Sequence, residues 1–249
     1  MWIRDSGNTG ERPTHPQLLD WLAAELPKRG WSLKSMHRLL LISAPYRQAS
    51  HGAGESWKKR LAADPTNQLL SRMNRRRLDG EPLRDTLLAV SGQVTQRGGG
   101  PGVRPPLPRE ITSTLLNNQW PVSKSAEDHH RRSVYLFARR NLRYPLFELL
   151  DRPDGTVSCA RRKESTTAPQ SLILLNSEFS VANAKALAKR DETAAVRGLY
   201  SQLLQREPSE NEQRLAKRFL AEQKEDAVVE ALTKLALALI NLNEFLFVD

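Results

Sequence analysis

Between Gly92 and His130 the chain gathers Gly98, Gly99, Gly100 and Gly102 with Pro101, Pro105, Pro106 and Pro108. Proline brings no N–H donor and glycine loses the most freedom on ordering, so neither a long helix nor a long strand runs through this stretch. A connection of that length inside a compact domain is usually functional or disordered. Trp120, near its end, is expected to pin it to the body. Regular structure must come from the flanks, and both flanks carry helical periodicity.

On the N-terminal side, Thr14-His15-Pro16-Gln17 reads as a capping box that starts a helix with Leu18, Leu22 and Leu26 on one stripe. Gly30 ends that helix. Ser32 caps a second, with Leu33, Met36, Leu40 and Leu41 facing inward and Pro45 stopping it. A helical hairpin follows. From Trp57 to Gly92 the pattern is helical but interrupted at Asp79-Gly80-Glu81-Pro82, because Pro82 fits only the first turn of a helix. Asp79 is the natural restart cap for a helix through Leu83, Leu87, Leu88 and Val90.

On the C-terminal side, Ser133 to Arg139 alternates like a strand, and Pro145 to Leu150 reads as a short helix. From Ala168 onward consecutive helices follow. Val196, Leu199, Tyr200, Leu203 and Leu204 keep i, i+3, i+4, i+7, i+8 spacing, and Ser209-Glu210-Asn211-Glu212 is a second capping box. The last helix aligns Val228, Leu232, Leu235, Leu239, Leu242 and Leu246. The expectation is a mainly α fold with a small β element near residues 132–139 and a C-terminal helical bundle. Residues 1–13 form an irregular tail, 14–190 a basic helical subdomain carrying the loop 92–130, and 191–249 an acidic helical subdomain.

Charge supports that division. The chain carries a net charge of +10, yet residues 191–249 hold seven basic and eleven acidic side chains, leaving +14 on residues 1–190. Two arginine-rich stretches, Lys58 to Arg84 and Arg131 to Lys163, dominate. Such a field attracts anions: acidic glycans, anionic lipid, nucleic acid or an acidic protein surface. Aromatic residues are only 6% and seldom interleave with the arginines, so no specific nucleic-acid interface is expected.

A single cysteine, Cys159, excludes a disulfide framework, a four-thiolate zinc site and the Cys-x-x-Cys-His of covalent haem. The most apolar run, Leu235 to Leu242, falls well short of the roughly 20 residues that span a bilayer. No signal peptide is visible at Met1. His129-His130 lacks ligand partners at metal spacing, so no metal is expected. His37, on a face with Leu33, Leu40 and Leu41, reads as a packed histidine. Glu81 and Asp85, one helical turn apart, could converge as an acid–base pair, though neighbouring Arg77 and Arg84 favour a structural ion-pair network. No nucleophile elbow and no phosphate-binding loop is present.

The motifs taken in order resemble a family. Gly10-Glu11-Arg12-Pro13-Thr14-His15-Pro16-Gln17-Leu18-Leu19-Asp20-Trp21-Leu22-Ala23 opens the match, followed by Gly30-Trp31-Ser32-Leu33-Lys34 and Tyr46-Arg47-Gln48. Arg72-Met73-Asn74-Arg75-Arg76-Arg77-Leu78, Leu83-Arg84-Asp85 and Gly99-Gly100-Pro101 continue it. Arg131-Arg132-Ser133-Val134-Tyr135-Leu136, Thr167-Ala168-Pro169-Gln170 and the terminal Asn243-Glu244-Phe245-Leu246-Phe247-Val248-Asp249 complete it. Together they are similar to the C-terminal portion of the planctomycete PSD-type domain of unknown function. The resemblance implies an exported, periplasmic setting, a cytochrome-c-bearing domain or protein as partner, haem only through that partner, and a chain that is N-terminally truncated. Asp79-Gly80-Glu81-Pro82 departs from the Ala/Glu-rich helix usual there.

The functional expectation is a non-catalytic recognition or scaffold module. Arg75, Arg76, Arg77, Arg132, Arg139 and Arg140 would hold an anionic group such as an acidic glycan, because guanidinium forks match the paired oxygens of carboxylate and sulfate. The rival is a hydrolase acting on an acidic carbohydrate, with Glu81, Asp85 or His37 as acid or base and the Gly98–Pro101 loop as a lid. It requires a cleft beside Asp85.

Overall fold

The computed structural model describes residues 12–113, 115, 119–156, 159, 162–190, 195–222 and 227–248. Of the expected irregular tail, residues 1–11 lie outside the described residues, and Arg12 and Pro13 have no regular structure. The chain divides into two compact units, one built on residues up to Arg76 and the other on residues from Arg77 to Phe247, apart from Cys159.

The first unit holds α1 (Pro16–Lys28), α2 (Leu33–Leu41) and α3 (Glu55–Ala63). Helices α1 and α2 meet where their punctuation predicts, with Gly30 at φ +65° and the Ser32 hydroxyl accepting the Ser35 N–H at 3.2 Å. Two details differ. The cap of α1 is His15, not Thr14, whose hydroxyl meets His15 Nδ1 at 2.9 Å instead. Pro16 at the first helical position sets the entry one residue later than the capping-box reading. Only Met36 of α2 is buried, while Leu33, Leu40, Leu41 and His37 are exposed. The packed histidine is therefore absent, since α1 contributes no buried residue to close a layer over that face. After α3 the helical pattern gives way to a polar turn. There the Asp64 carboxylate accepts the Gln68 and Leu69 N–H groups, each at 2.8 Å.

The second unit contains the core. Its helices are α4 (Gly80–Val90), α5 (Arg109–Thr112), α6 (Ala126–His129), α7 (Pro145–Leu149), α8 (Ala168–Asn176), α9 (Glu178–Arg190), α10 (Ala195–Leu204), α11 (Glu210–Ala221), α12 (Val228–Ile240) and α13 (Asn243–Leu246). Helix α12 is the centre. Leu232, Ala236, Leu239 and Ile240 are buried, and the helix packs chiefly on α9, through whose Ala184, Leu187 and Ala188 the layer is completed. Helix α10 adds Leu199 and Leu203, and α11 starts at Ser209 with both halves of its capping box in place. The charge boundary at residue 191 is thus not a packing boundary.

Helix α4 begins at Asp79, as its sequence predicts, and buries Leu83, Leu87 and Leu88. It leans on α7, on α9 and on a 3₁₀ turn at Ser133–Tyr135. Gly80 permits this approach: a Cβ there would lie 3.1 Å from the Phe147 Cα. The far end is closed by Gly92 at φ +72° and by Arg190, whose guanidinium donates to the Val90 carbonyl at 3.3 Å.

The strand expected at Ser133 to Arg139 is instead that 3₁₀ turn followed by isolated bridges. Val103 donates to the Tyr135 carbonyl at 2.8 Å and accepts the Phe137 N–H at 2.9 Å, and the pairing stops there. Pro105 and Pro106 have no N–H with which to extend a ladder. The mainly α class holds, and the regular β structure among the described residues is the pair of two-residue strands β1 (Arg76–Arg77) and β2 (Phe247–Val248). Trp120 anchors the Gly/Pro loop, its indole N–H donating to the Pro105 carbonyl at 2.8 Å with the residue 9% exposed.

Candidate functional site

Within the second unit a cleft of about 940 Å³ opens along α4. The first turns of α4 supply Asp79, Glu81, Asp85 and Thr86, the segment after α6 supplies Arg132, Ser133 and Ala138, and the chain following α7 supplies Arg152 and Arg162. Three guanidinium groups and three carboxylates therefore share one wall system. Asp79 and Glu81 are there because Pro82 forces a fresh helix start, which places both acids at its opening.

The charges are paired in a definite order. Arg162 grips Glu81 with both terminal nitrogens, Nη1 to Oε2 at 2.7 Å and Nη2 to Oε1 at 3.1 Å. Arg152 adds a contact from Nε to Glu81 Oε1 at 3.3 Å, and Arg162 also reaches Asp79 at 3.4 Å. Burial raises the Glu81 carboxyl, but the hydrogen bond from Arg162 and the charges of Arg162 and Arg152 outweigh it and hold the group below its ordinary value. Glu81 is a carboxylate at neutral pH.

Asp85 is held differently. Its Oδ1 accepts the Ser133 N–H at 2.7 Å and the Ser133 hydroxyl at 2.6 Å, while Oδ2 lies 3.5 Å from Arg132 Nε. The Arg132 side chain is 64% exposed and reaches into open space. Beneath it, Arg84 is fully buried and donates to the carbonyls of Arg131 at 2.9 Å and His129 at 2.6 Å. Desolvation lowers the pKa of Arg84, and burial raises that of the adjacent Tyr144 hydroxyl. Arg131, equally buried, stacks on the Tyr135 ring at 4.3 Å and donates to the Gly99 carbonyl, which ties the glycine loop to the floor of the unit.

Of the residues singled out in the sequence, Glu81, Asp85 and Arg132 line this cleft. Arg77 belongs to a separate buried knot with Asp151, Gln170 and the carbonyls of Leu150 and Ser165. Arg139 donates to the Gln119 carbonyl, and Arg140 is exposed away from the cleft lining. Arg75, Arg76 and His37 belong to the first unit. Glu81 takes its partners from Arg152 and Arg162, not from the nearby Arg77 or Arg84. The sequence pattern offered one signal for them: both lie in the second basic stretch.

His129 closes α6 with Nε2 2.8 Å from the Ser123 carbonyl, and His130 follows as the cap. Among the described residues no group of three or more His, Cys, Asp or Glu is arranged to hold a metal ion, and no helix is long and apolar enough to cross a membrane.

A family model, PSD1, protein of unknown function (DUF1553), matches residues 3–220. No curated protein and no solved structure matches the chain. The match takes in α1 through most of α11 and every residue that lines the cleft, so the chain belongs to the PSD1 (DUF1553) family of proteins of unknown function.

Proposed function

We propose that the domain is a non-catalytic recognition module whose α4 cleft holds an anionic group, a carboxylate or sulfate of an acidic glycan. The observation that carries this reading is the convergence of Arg132, from the segment after α6, with Arg152 and Arg162, from the segment after α7, on one open cleft. Arg132 matters most. Among the described residues its one ion-pair partner is Asp85 at 3.5 Å, and the exposed fork retains donors for a ligand. Recognition suits the site better than turnover because both carboxylates are committed: Glu81 to two arginines and Asp85 to Ser133.

The test is titration with trigalacturonate against duplex DNA over rising salt. Contact with a specific fork outlasts the salt at which exposed charge attraction is screened, over roughly 8 Å at physiological ionic strength. Arg132→Lys, which keeps the charge and loses the planar fork, should abolish the difference. Equal salt loss for both ligands and no effect of the substitution would sink the reading.

A hydrolase acting on the same acidic carbohydrate is the second reading, favoured by the open cleft beside Asp85 and the Ser133 hydroxyl 2.6 Å from its carboxylate. Product release from sulfated or uronic oligosaccharides that disappears in Asp85→Asn would select it. The setting proposed for either is that implied by the planctomycete PSD-type resemblance: an exported, periplasmic protein working beside a cytochrome-c-bearing partner. Co-purification that brings no haem absorbance with the chain would count against that partner.

A further inference from the structure

We infer that Glu81 is a built-in competitor for the ligand's acidic group, occupying the Arg162 fork until an external carboxylate or sulfate displaces it; this rests on the recognition reading above. The geometry is that of a ligand already in place. Two parallel contacts, at 2.7 and 3.1 Å, are the arrangement a guanidinium makes with a bound carboxylate. Arg152 closes on the same oxygen from the side, at 3.3 Å.

The charge balance gives this pairing a consequence. Asp79, Glu81 and Asp85 cancel Arg132, Arg152 and Arg162, so the filled cleft offers an arriving anion no net attraction from its own walls. Removing Glu81 from the fork withdraws the carboxylate that Arg162 and Arg152 share. The group is also placed to leave: its side chain is 21% exposed at the cleft wall, and Arg162 is 36% exposed, so neither is sealed in the core. Asp79, 3.4 Å from the same Arg162 nitrogen, is a weaker second competitor. A purely structural ion pair would hold the segment carrying Arg152 and Arg162 against α4. A competing one sets a threshold, so that only a ligand able to present two coplanar oxygens gains entry.

The experiment is calorimetric titration of trigalacturonate and of inorganic sulfate into the full chain and its variants at fixed salt. Glu81→Gln preserves shape and removes the competing charge, and affinity should rise about tenfold or more, the scale of one charge-assisted fork. Arg162→Lys placed on that background should remove the gain. Asp79→Asn, which leaves the fork intact, should raise affinity by less, and Glu81→Asp, one methylene too short to fill the fork, decides the question if Glu81→Gln does not fold. Unchanged or weakened binding in both acid variants overturns the competitor role. If wild-type binding then still falls on Arg132→Lys, the recognition reading survives alone. Absence of any saturable binding in wild type and both variants overturns the two together.

Discussion

Arg77 Nη2 lies 2.8 Å from Asp151 Oδ2, with 6% of the arginine side chain and 20% of the aspartate side chain exposed. Asp151 in turn accepts the Ser165 N–H at 2.9 Å and its hydroxyl at 2.7 Å. Burial raises the Asp151 carboxyl, and the Ser165 hydrogen bonds and Arg77 more than offset this, holding it below its ordinary value. Removing one partner of a largely buried pair strands the other. Arg77→Met should therefore destabilise the fold by about 3–5 kcal/mol, read from the urea midpoint. A loss below 1 kcal/mol would show that the knot is solvated.

Acid stability has a separate origin. Glu212 accepts from Arg206 at 2.9 and 2.8 Å and caps α11 through the Ser209 N–H, and its pKa falls from 4.5 to about 2, with the Arg206 hydrogen bonds the largest cause. A depressed folded value means stability that is present above the ordinary 4.5 and lost as pH falls towards about 2. Wild type should lose stability across that window more steeply than Glu212→Gln. Parallel melting curves from pH 5 to pH 2 would contradict this assignment.

Gly80→Ala should run against helix propensity. In an open helix the change would gain roughly 0.5–1 kcal/mol. Here the new methyl meets the backbone of Phe147, itself fully buried, at 3.1 Å. Overpacking of this kind costs about 1–3 kcal/mol, so chemical denaturation should show a net loss.

Arg131 and Gly99 make the fourth case. The guanidinium is 2% exposed on its side chain and holds the glycine loop by a carbonyl. Arg131→Lys keeps a cation but cannot span both the Tyr135 ring and Gly99. Amide exchange at residues 97–102 should quicken while that of α12 is unchanged. Equal protection in both proteins would show that the loop is held without Arg131.

How far the sequence could be read depends on the range of the interaction. Helices α4, α10, α11 and α12 were legible because their signals are local: an Asp79 restart before Pro82, a Ser209–Glu212 box, leucines repeating every turn. The leucines of α2 share that periodicity and yet stay exposed, since period specifies a face and not whether anything covers it. The strand at Ser133 to Arg139 failed because alternation cannot register that the partner, after Val103, runs into prolines. In the cleft, Glu81 and Asp85 were visible as a helical pair. Their partners were not: Arg162 stands 81 residues from Glu81, and only the folded path through α7 brings it back.

The dependence of α4 on α9, and of α9 on α12, reaches beyond the cleft. On the ribosome the face formed by Ala184, Leu187 and Ala188 emerges nearly fifty residues before Leu232 and Ala236, and throughout that interval its cover has not been made. The span matched by the family model ends at residue 220, whereas the helix that completes the core begins at Val228. An expression boundary drawn at residue 220 would thus cut through a cooperative folding unit, releasing the floor on which the cleft is built.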